Sequence, residues 1–118
     1  MNKVYYLKTC NTCIRIINDL NISNTFELQD IKSDPITVSQ IEDMKRLAGN
    51  YEALFSKRAK LYREMGLKEQ PLKEKDYKHY ILEHYTFLKR PVIIINDEIF
   101  VGNSQKNIKA AKNAIENL

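Results

Sequence analysis

Apolar positions fall in short runs near the two ends of the chain and at helical spacing between them. Val4 to Leu7 is an apolar run that reads as a buried strand. After a polar turn, Cys13, Ile14, Ile17 and Leu20 recur at helical spacing, which predicts a helix facing the core. This strand and helix run from about Lys3 to about Leu20, and residues 21–24 are predicted as a turn. Thr25 to Asp30 alternates, with Phe26 and Leu28 on one face, and reads as a second strand. A strand–helix–strand unit of this length predicts a parallel pair joined by a right-handed crossover.

The middle of the chain reads differently. Ser33-Asp34-Pro35 is a break. Thr37 and Gln40 have capping-box spacing, and Ile41, Met44, Leu47 and Ala48 give the helix they open one apolar face. Gly49 is its predicted stop. Tyr51 to Phe55 predicts a short helix, and Ser56 to Met65 another, ended by Gly66. After Pro71 a further helix carries Tyr77, Tyr80, Ile81 and His84 on one stripe. With no strand signal between Asp30 and Leu88, residues about 35–86 are predicted to form a helical insertion. Val92-Ile93-Ile94-Ile95 is then a continuous β-branched run, the pattern of a strand buried on both faces. Asn96-Asp97-Glu98 reads as a tight turn and Ile99-Phe100-Val101 as the returning hairpin strand. Gly102-Asn103-Ser104 leads into a last helix with Ile108, Ala111, Ile115 and Leu118 toward the sheet. The expected architecture is α/β: a four-stranded mixed sheet in the order βαβ, helical insert, ββα, forming one domain over residues 1–118.

The candidate chemistry lies where the first strand hands over to the first helix. Cys10 and Cys13 are the two cysteines of the chain. The nucleophile of thiol chemistry is the thiolate, and a helix N-terminus favours it through unpaired amides and a positive dipole end. Cys10 is predicted at that end, with Cys13 one turn inside on the same face. Cys10 is therefore the expected attacker and Cys13 the expected resolving thiol. A Cys-x-x-Cys pair after the first strand of this element order is the thioredoxin pattern. That fold places a cis X-Pro bond before its third strand, beside the active cysteine. Pro91 is accordingly expected to be cis, although only about 5–6% of such bonds are.

Composition narrows the class without naming a substrate. Of 118 residues, 43% are hydrophobic and 29% charged, which excludes a disordered chain. No apolar run approaches a membrane span and the N-terminus lacks a signal peptide's apolar core, so no membrane association and a cytoplasmic address are expected. In that compartment a Cys-x-x-Cys pair is more often catalytic or metal-binding than a structural staple. Cys10, Cys13, His79 and His84 form the one candidate metal set. The gap between its halves is far longer than in a zinc finger, so no metal is expected. The net charge of +4 fits an anionic substrate, a nucleic-acid surface or no partner, and decides nothing alone. No phosphate loop, Ser-His-Asp set or DNA-recognition helix is present, and no direct nucleic-acid contact is expected. Lys57, Arg58, Lys60 and Arg63 form a basic run of the kind that usually coats a solvated helix face.

Three features in order carry a resemblance: the cysteine turn after strand one, a basic helix containing Ser56-Lys57-Arg58-Ala59-Lys60-Leu61-Tyr62, and Lys89-Arg90-Pro91-Val92 before strand three. With the helical insert between them, nearly the whole chain resembles the arsenate reductase (ArsC)/Spx family. The resemblance implies a thioredoxin-like fold and a thiol-dependent oxidoreductase, arsenate reductase-like, of the glutathione/glutaredoxin type. It matches Cys10 to the nucleophilic cysteine, Arg58 to an arginine of the insert facing it, and Arg90 to the arginine before the cis-proline, here Pro91. Arginines suit a tetrahedral oxyanion because the guanidinium offers paired donors and permanent charge. The resemblance implies no bound cofactor, an external thiol reductant (glutathione/glutaredoxin or thioredoxin), and a small oxyanion or disulfide as substrate. Two departures stand out. The stretch Gly102-Asn103-Ser104-Gln105-Lys106-Asn107 lacks the third arginine of the arsenate reductases and offers only Lys106. The second cysteine makes the pair more like that of Spx regulators, so the alternative is a redox-sensing transcriptional regulator that binds RNA polymerase.

Overall fold

The computed structural model describes residues 2–22 and 24–118. The chain divides into two compact units, one made of residues 1–34 with 90–118 and the other of residues 35–89.

The first unit is a four-stranded sheet with two helices. Its strands are β1 (Asn2–Tyr6), β2 (Glu27–Asp30), β3 (Val92–Ile95) and β4 (Glu98–Val101), in the spatial order β2-β1-β3-β4. β1 runs parallel to β2 and antiparallel to β3, and β3 pairs antiparallel with β4. This is the predicted mixed sheet. The expected turn over 21–24 includes Ser23, which lies outside the described residues. α1 (Asn11–Asp19) with its C-cap Leu20, and α5 (Gln105–Glu116), supply Ile16, Leu20 and Ala111 to a core shared with Val4, Ile93, Ile95, Phe100 and Phe26. Val92 and Ile94, which alternate with the core-facing residues of β3, are also fully buried, as the unbroken β-branched run requires. The hairpin after β3 turns on Asn96 and Asp97, with Asn96 at φ 54°, so β4 begins at Glu98 rather than Ile99.

Three apolar positions face the other way from their prediction. On α1 the inward row is Cys13, Ile16 and Leu20, with Ile17 half-buried, and Ile14 is exposed. Leu28 is exposed because β2 is the edge strand, and Gln29 takes the buried place, donating through Nε2 to the Asp34 carbonyl at 2.9 Å. Leu118 lies beyond the end of α5 and is exposed. The buried polar group of β1 is Lys3, whose stem lies among strand residues. Its ammonium is 3.6 Å from Glu27 and 4.8 Å from the Tyr5 ring centroid.

The second unit holds α2 (Val38–Ala48), α3 (Lys60–Glu64) and α4 (Glu74–Glu83), with short 3-10 turns at Glu52–Leu54, Leu67–Glu69 and Tyr85–Phe87. α2 opens on the expected capping box. The Thr37 hydroxyl accepts from the Gln40 amide at 3.1 Å, and the Gln40 side chain accepts from the Thr37 amide at 3.0 Å. Gly49 and Gly66 end α2 and α3 with φ of 102° and 65°, the left-handed region that glycine enters without a Cβ penalty. The helix predicted over 56–65 forms only from Lys60 onward. Ser56 instead donates its amide to the Phe87 carbonyl at 2.7 Å, and Phe55 bridges to Leu88, so extended pairing holds the start of that stretch. His84 falls just past α4. The unit is organised on Phe55, whose ring stacks on Phe87 at 5.1 Å and meets Tyr77 at 4.9 Å and Tyr62 at 5.9 Å between centroids.

Candidate active site

The register brings the candidate residues of the first unit to one end of the sheet. Tyr5 pairs with Val92 and Val92 with Val101, so the turn after β1, the Arg90–Pro91 step and Gly102 share that end. The Arg90–Pro91 peptide bond is cis. The Pro91 carbonyl accepts from the Gly102 amide at 2.9 Å, tying the residue before the hairpin to the residue after it.

β1 hands over to α1 through Leu7, Lys8 and Thr9. Cys10 is the N-cap residue of α1, extended at φ −93° and ψ 108°. Its amide donates to the Leu7 carbonyl at 2.9 Å and its carbonyl accepts from Ile14 at 3.1 Å, so its backbone is fixed on both sides. No side chain caps this helix, which leaves its first-turn amides for the sulfur. Both cysteines are free thiols. Cys10 is half-buried and Cys13 is 1% exposed.

The two thiols are driven apart. Partial burial pushes Cys10 up. The Cys13 amide, the Cys13 thiol, the Thr12 amide and the Arg90 charge together outweigh that burial and hold Cys10 below the ordinary value of 9.0. Cys13 goes the other way, pushed up to about 11. Burial is the main cause, reinforced by the neighbouring Cys10 sulfur and its charge, and only partly offset by the Leu7 amide and Arg90. The chemical result is one half-buried thiol that ionises more readily than an ordinary one, backed by one buried thiol that ionises less readily, within the first turn of the helix.

The other candidates are placed as follows. Arg90 is half-buried just ahead of β3 and acts on both sulfurs. Lys106 is exposed in the first turn of α5, where Ser104 caps the helix by accepting from the Asn107 amide at 3.2 Å. Arg58 belongs to the second unit and is exposed on the turn that precedes α3, not on a helix. His79 and His84 are exposed residues of the second unit, each edge-on to an aromatic ring. Among the described residues no group of three or more His, Cys, Asp or Glu side chains is placed to hold a metal ion. No helix is long and apolar enough to cross a membrane, again among the described residues.

One contributor is not apparent from the sequence. Asp30, at the end of β2, accepts the Lys8 amide at 3.1 Å and the Ser33 hydroxyl at 2.9 Å. These bonds keep its carboxyl below its usual value, the Lys8 amide most of all. Its role depends on the parallel pairing of β2 with β1, the strand that precedes the cysteine turn, and no local pattern in the sequence marks it.

Comparison with known proteins bears on the family and the fold. The chain is 23% identical over 111 residues to the global transcriptional regulator Spx 1 of Bacillus cereus, covering 92% of this chain and 85% of that protein. Among solved structures, the arsenate reductase of Vibrio cholerae superposes with a TM-score of 0.71 at 15% identity, covering 99% of this chain and 97% of that one. A Staphylococcus aureus protein superposes with a TM-score of 0.72 at 25% identity, covering 93% and 97%. Both structural likenesses support a thioredoxin-like fold. Residues 5–111 match the ArsC family, and with that span covering the cysteine turn, the insert and the cis-proline, the chain belongs to the ArsC family, the thioredoxin-like group that also holds the Spx regulators.

Proposed function

We propose that the protein is a cytoplasmic thiol–disulfide oxidoreductase of arsenate reductase-like type, with Cys10 as nucleophile and Cys13 as resolving thiol. The observation that supports this most is the opposite treatment of the two sulfurs, one lowered and half-exposed, the other raised and buried. With a disulfide substrate, the Cys10 thiolate attacks one sulfur and expels the other as a thiolate, leaving a mixed disulfide on Cys10. Cys13 then gives up its proton, attacks the Cys10 sulfur and releases the second half of the substrate. The protein ends as a Cys10–Cys13 disulfide, and two electrons have passed to the substrate. An external thiol, glutathione/glutaredoxin or thioredoxin, returns it to the dithiol. With arsenate, Cys10 displaces one oxygen as water, and attack by Cys13 on Cys10 leaves arsenic two electrons richer as arsenite. Arg90 would bind the oxyanion or steady the Cys10 thiolate, and for Arg58 that role rests on the family resemblance.

Charge separates the two substrate classes. A tetrahedral dianion calls for several fixed donors, and the stretch 102–107 contributes Lys106 alone. Disulfide exchange asks less of the pocket. Reduced protein mixed with arsenate, and separately with oxidised glutathione, is followed by counting free thiols. Loss of two thiols with oxidised glutathione supports the oxidoreductase reading, and the same loss with arsenate extends it to the oxyanion. Retention of both thiols in both mixtures overturns it.

The Spx likeness favours a second reading, in which the Cys10–Cys13 pair is a sensor and the partner is RNA polymerase. Co-purification with polymerase from native cells under one redox condition supports it, and absence under both reducing and oxidising conditions removes it.

A further inference from the structure

The turn that carries Cys10 is held from the neighbouring strand. Tyr6 pairs with Asp30 where β1 and β2 end together, and the Ile31 amide donates to the Tyr6 carbonyl at 2.9 Å. From that position the Asp30 carboxylate accepts the Lys8 amide on Oδ1 at 3.1 Å and the Ser33 hydroxyl on Oδ2 at 2.9 Å. The Ser33 hydroxyl, with the Lys32 and Ser33 amides, holds the carboxylate from within its own turn, and the Lys8 bond fixes the chain two residues before Cys10. We propose that Asp30 is a positioning residue for Cys10, whose carboxylate pins the Lys8–Thr9 turn so that the Thr12 and Cys13 amides stay aimed at the Cys10 sulfur. The inference rests on Cys10 being the nucleophile.

Charge alone argues in the opposite direction. A carboxylate at the same end of the sheet as a thiolate disfavours the thiolate. As a tether Asp30 helps Cys10, and as a bare charge it hinders it. The two roles therefore predict shifts of opposite sign, which one experiment separates.

That experiment is the pH dependence of iodoacetamide alkylation at Cys10, mapped by peptide mass spectrometry, in the full chain and in the variants Asp30→Asn and Asp30→Ala. Asparagine keeps an acceptor for the Lys8 amide and can donate to the Ser33 hydroxyl. Alanine removes both bonds. The tether predicts that Asp30→Ala moves the midpoint up, slowing alkylation at neutral pH about threefold, the equivalent of roughly half a pH unit. It predicts that Asp30→Asn alkylates at least as fast as the unaltered protein. Faster alkylation in both variants would make Asp30 a charge and not a tether, and no change in either would make it a bystander. Either result overturns the proposal. Should Asp30→Ala fail to fold, Ser33→Ala, which removes the hydroxyl bond to Oδ2 and loosens the carboxylate, must shift the midpoint the same way. An unaltered protein whose Cys10 titrates no lower than a free thiol would overturn the nucleophile reading itself, before any variant is compared.

Discussion

Alkylation at neutral pH should modify Cys10 and spare Cys13, by a margin that follows from the two environments. Cys10 lies below 9.0 and Cys13 at about 11, so their midpoints stand at least two pH units apart. Well below both midpoints each unit is a tenfold difference in thiolate fraction, which gives Cys10 at least a hundredfold advantage. A more basic thiolate is intrinsically the better nucleophile, with a Brønsted coefficient of about 0.4–0.5, which returns roughly one of those two powers of ten to Cys13. A net preference of at least about tenfold remains on acid–base grounds alone. Burial adds to it, since Cys13 is 1% exposed and a reagent reaches it only through opening of the α1 start. The assay is iodoacetamide labelling of the reduced protein at pH 7 with the adducts quantified by peptide mass spectrometry over time. One label per chain, on Cys10, should appear long before the second. Cys13→Ser should label at nearly the unaltered rate and Cys10→Ser very slowly. Equal labelling of the two cysteines, or Cys13 first, would refute the assignment of roles.

Other expectations follow from the same structure. Arg90→Gln removes a positive charge that acts on both sulfurs, so the Cys10 midpoint should rise, whereas Arg90→Lys should recover part of it; pH-dependent alkylation reads both. The folded-state value of Cys13 is raised, so its contribution to stability is whole below pH 9 and is lost as pH rises toward about 11. Urea unfolding across that window should show an alkaline decline that Cys13→Ser reduces. Phe55→Ala empties the centre of the aromatic cluster of the second unit and should cost about 3–5 kcal/mol in urea unfolding.

The sequence carries the sheet because its strands are written as short apolar runs with turns between them, and the Cys-x-x-Cys pair because one strand and one helix flank it directly. Periodicity is less able to say which apolar residue faces inward. On α1 the isoleucines at 14, 16 and 17 are interchangeable by pattern, and the rotation that buries Cys13 selects Ile16 over Ile14. Leu28 departs from its pattern for a different reason, since nothing local announces that a strand will be the edge. The helix expected from Ser56 loses its first turn to a long-range pairing with Phe87 and Leu88, a tertiary contact that overrides propensity. The cis bond at Pro91 is legible only through the fold, as no property of Arg90-Pro91 itself marks it. Asp30 is invisible in the sequence because its role depends on a register between strands some twenty residues apart.

The most direct measurement of the central claim is the intact mass of Cys13→Ser protein after reaction with oxidised glutathione, set beside the unaltered chain. The account predicts a persistent glutathione adduct on Cys10 in the variant. In the unaltered chain it predicts no lasting adduct, but a protein lighter by two hydrogens with a Cys10–Cys13 disulfide. An adduct that persists equally in both, or one found on Cys13 of the unaltered chain, would contradict it.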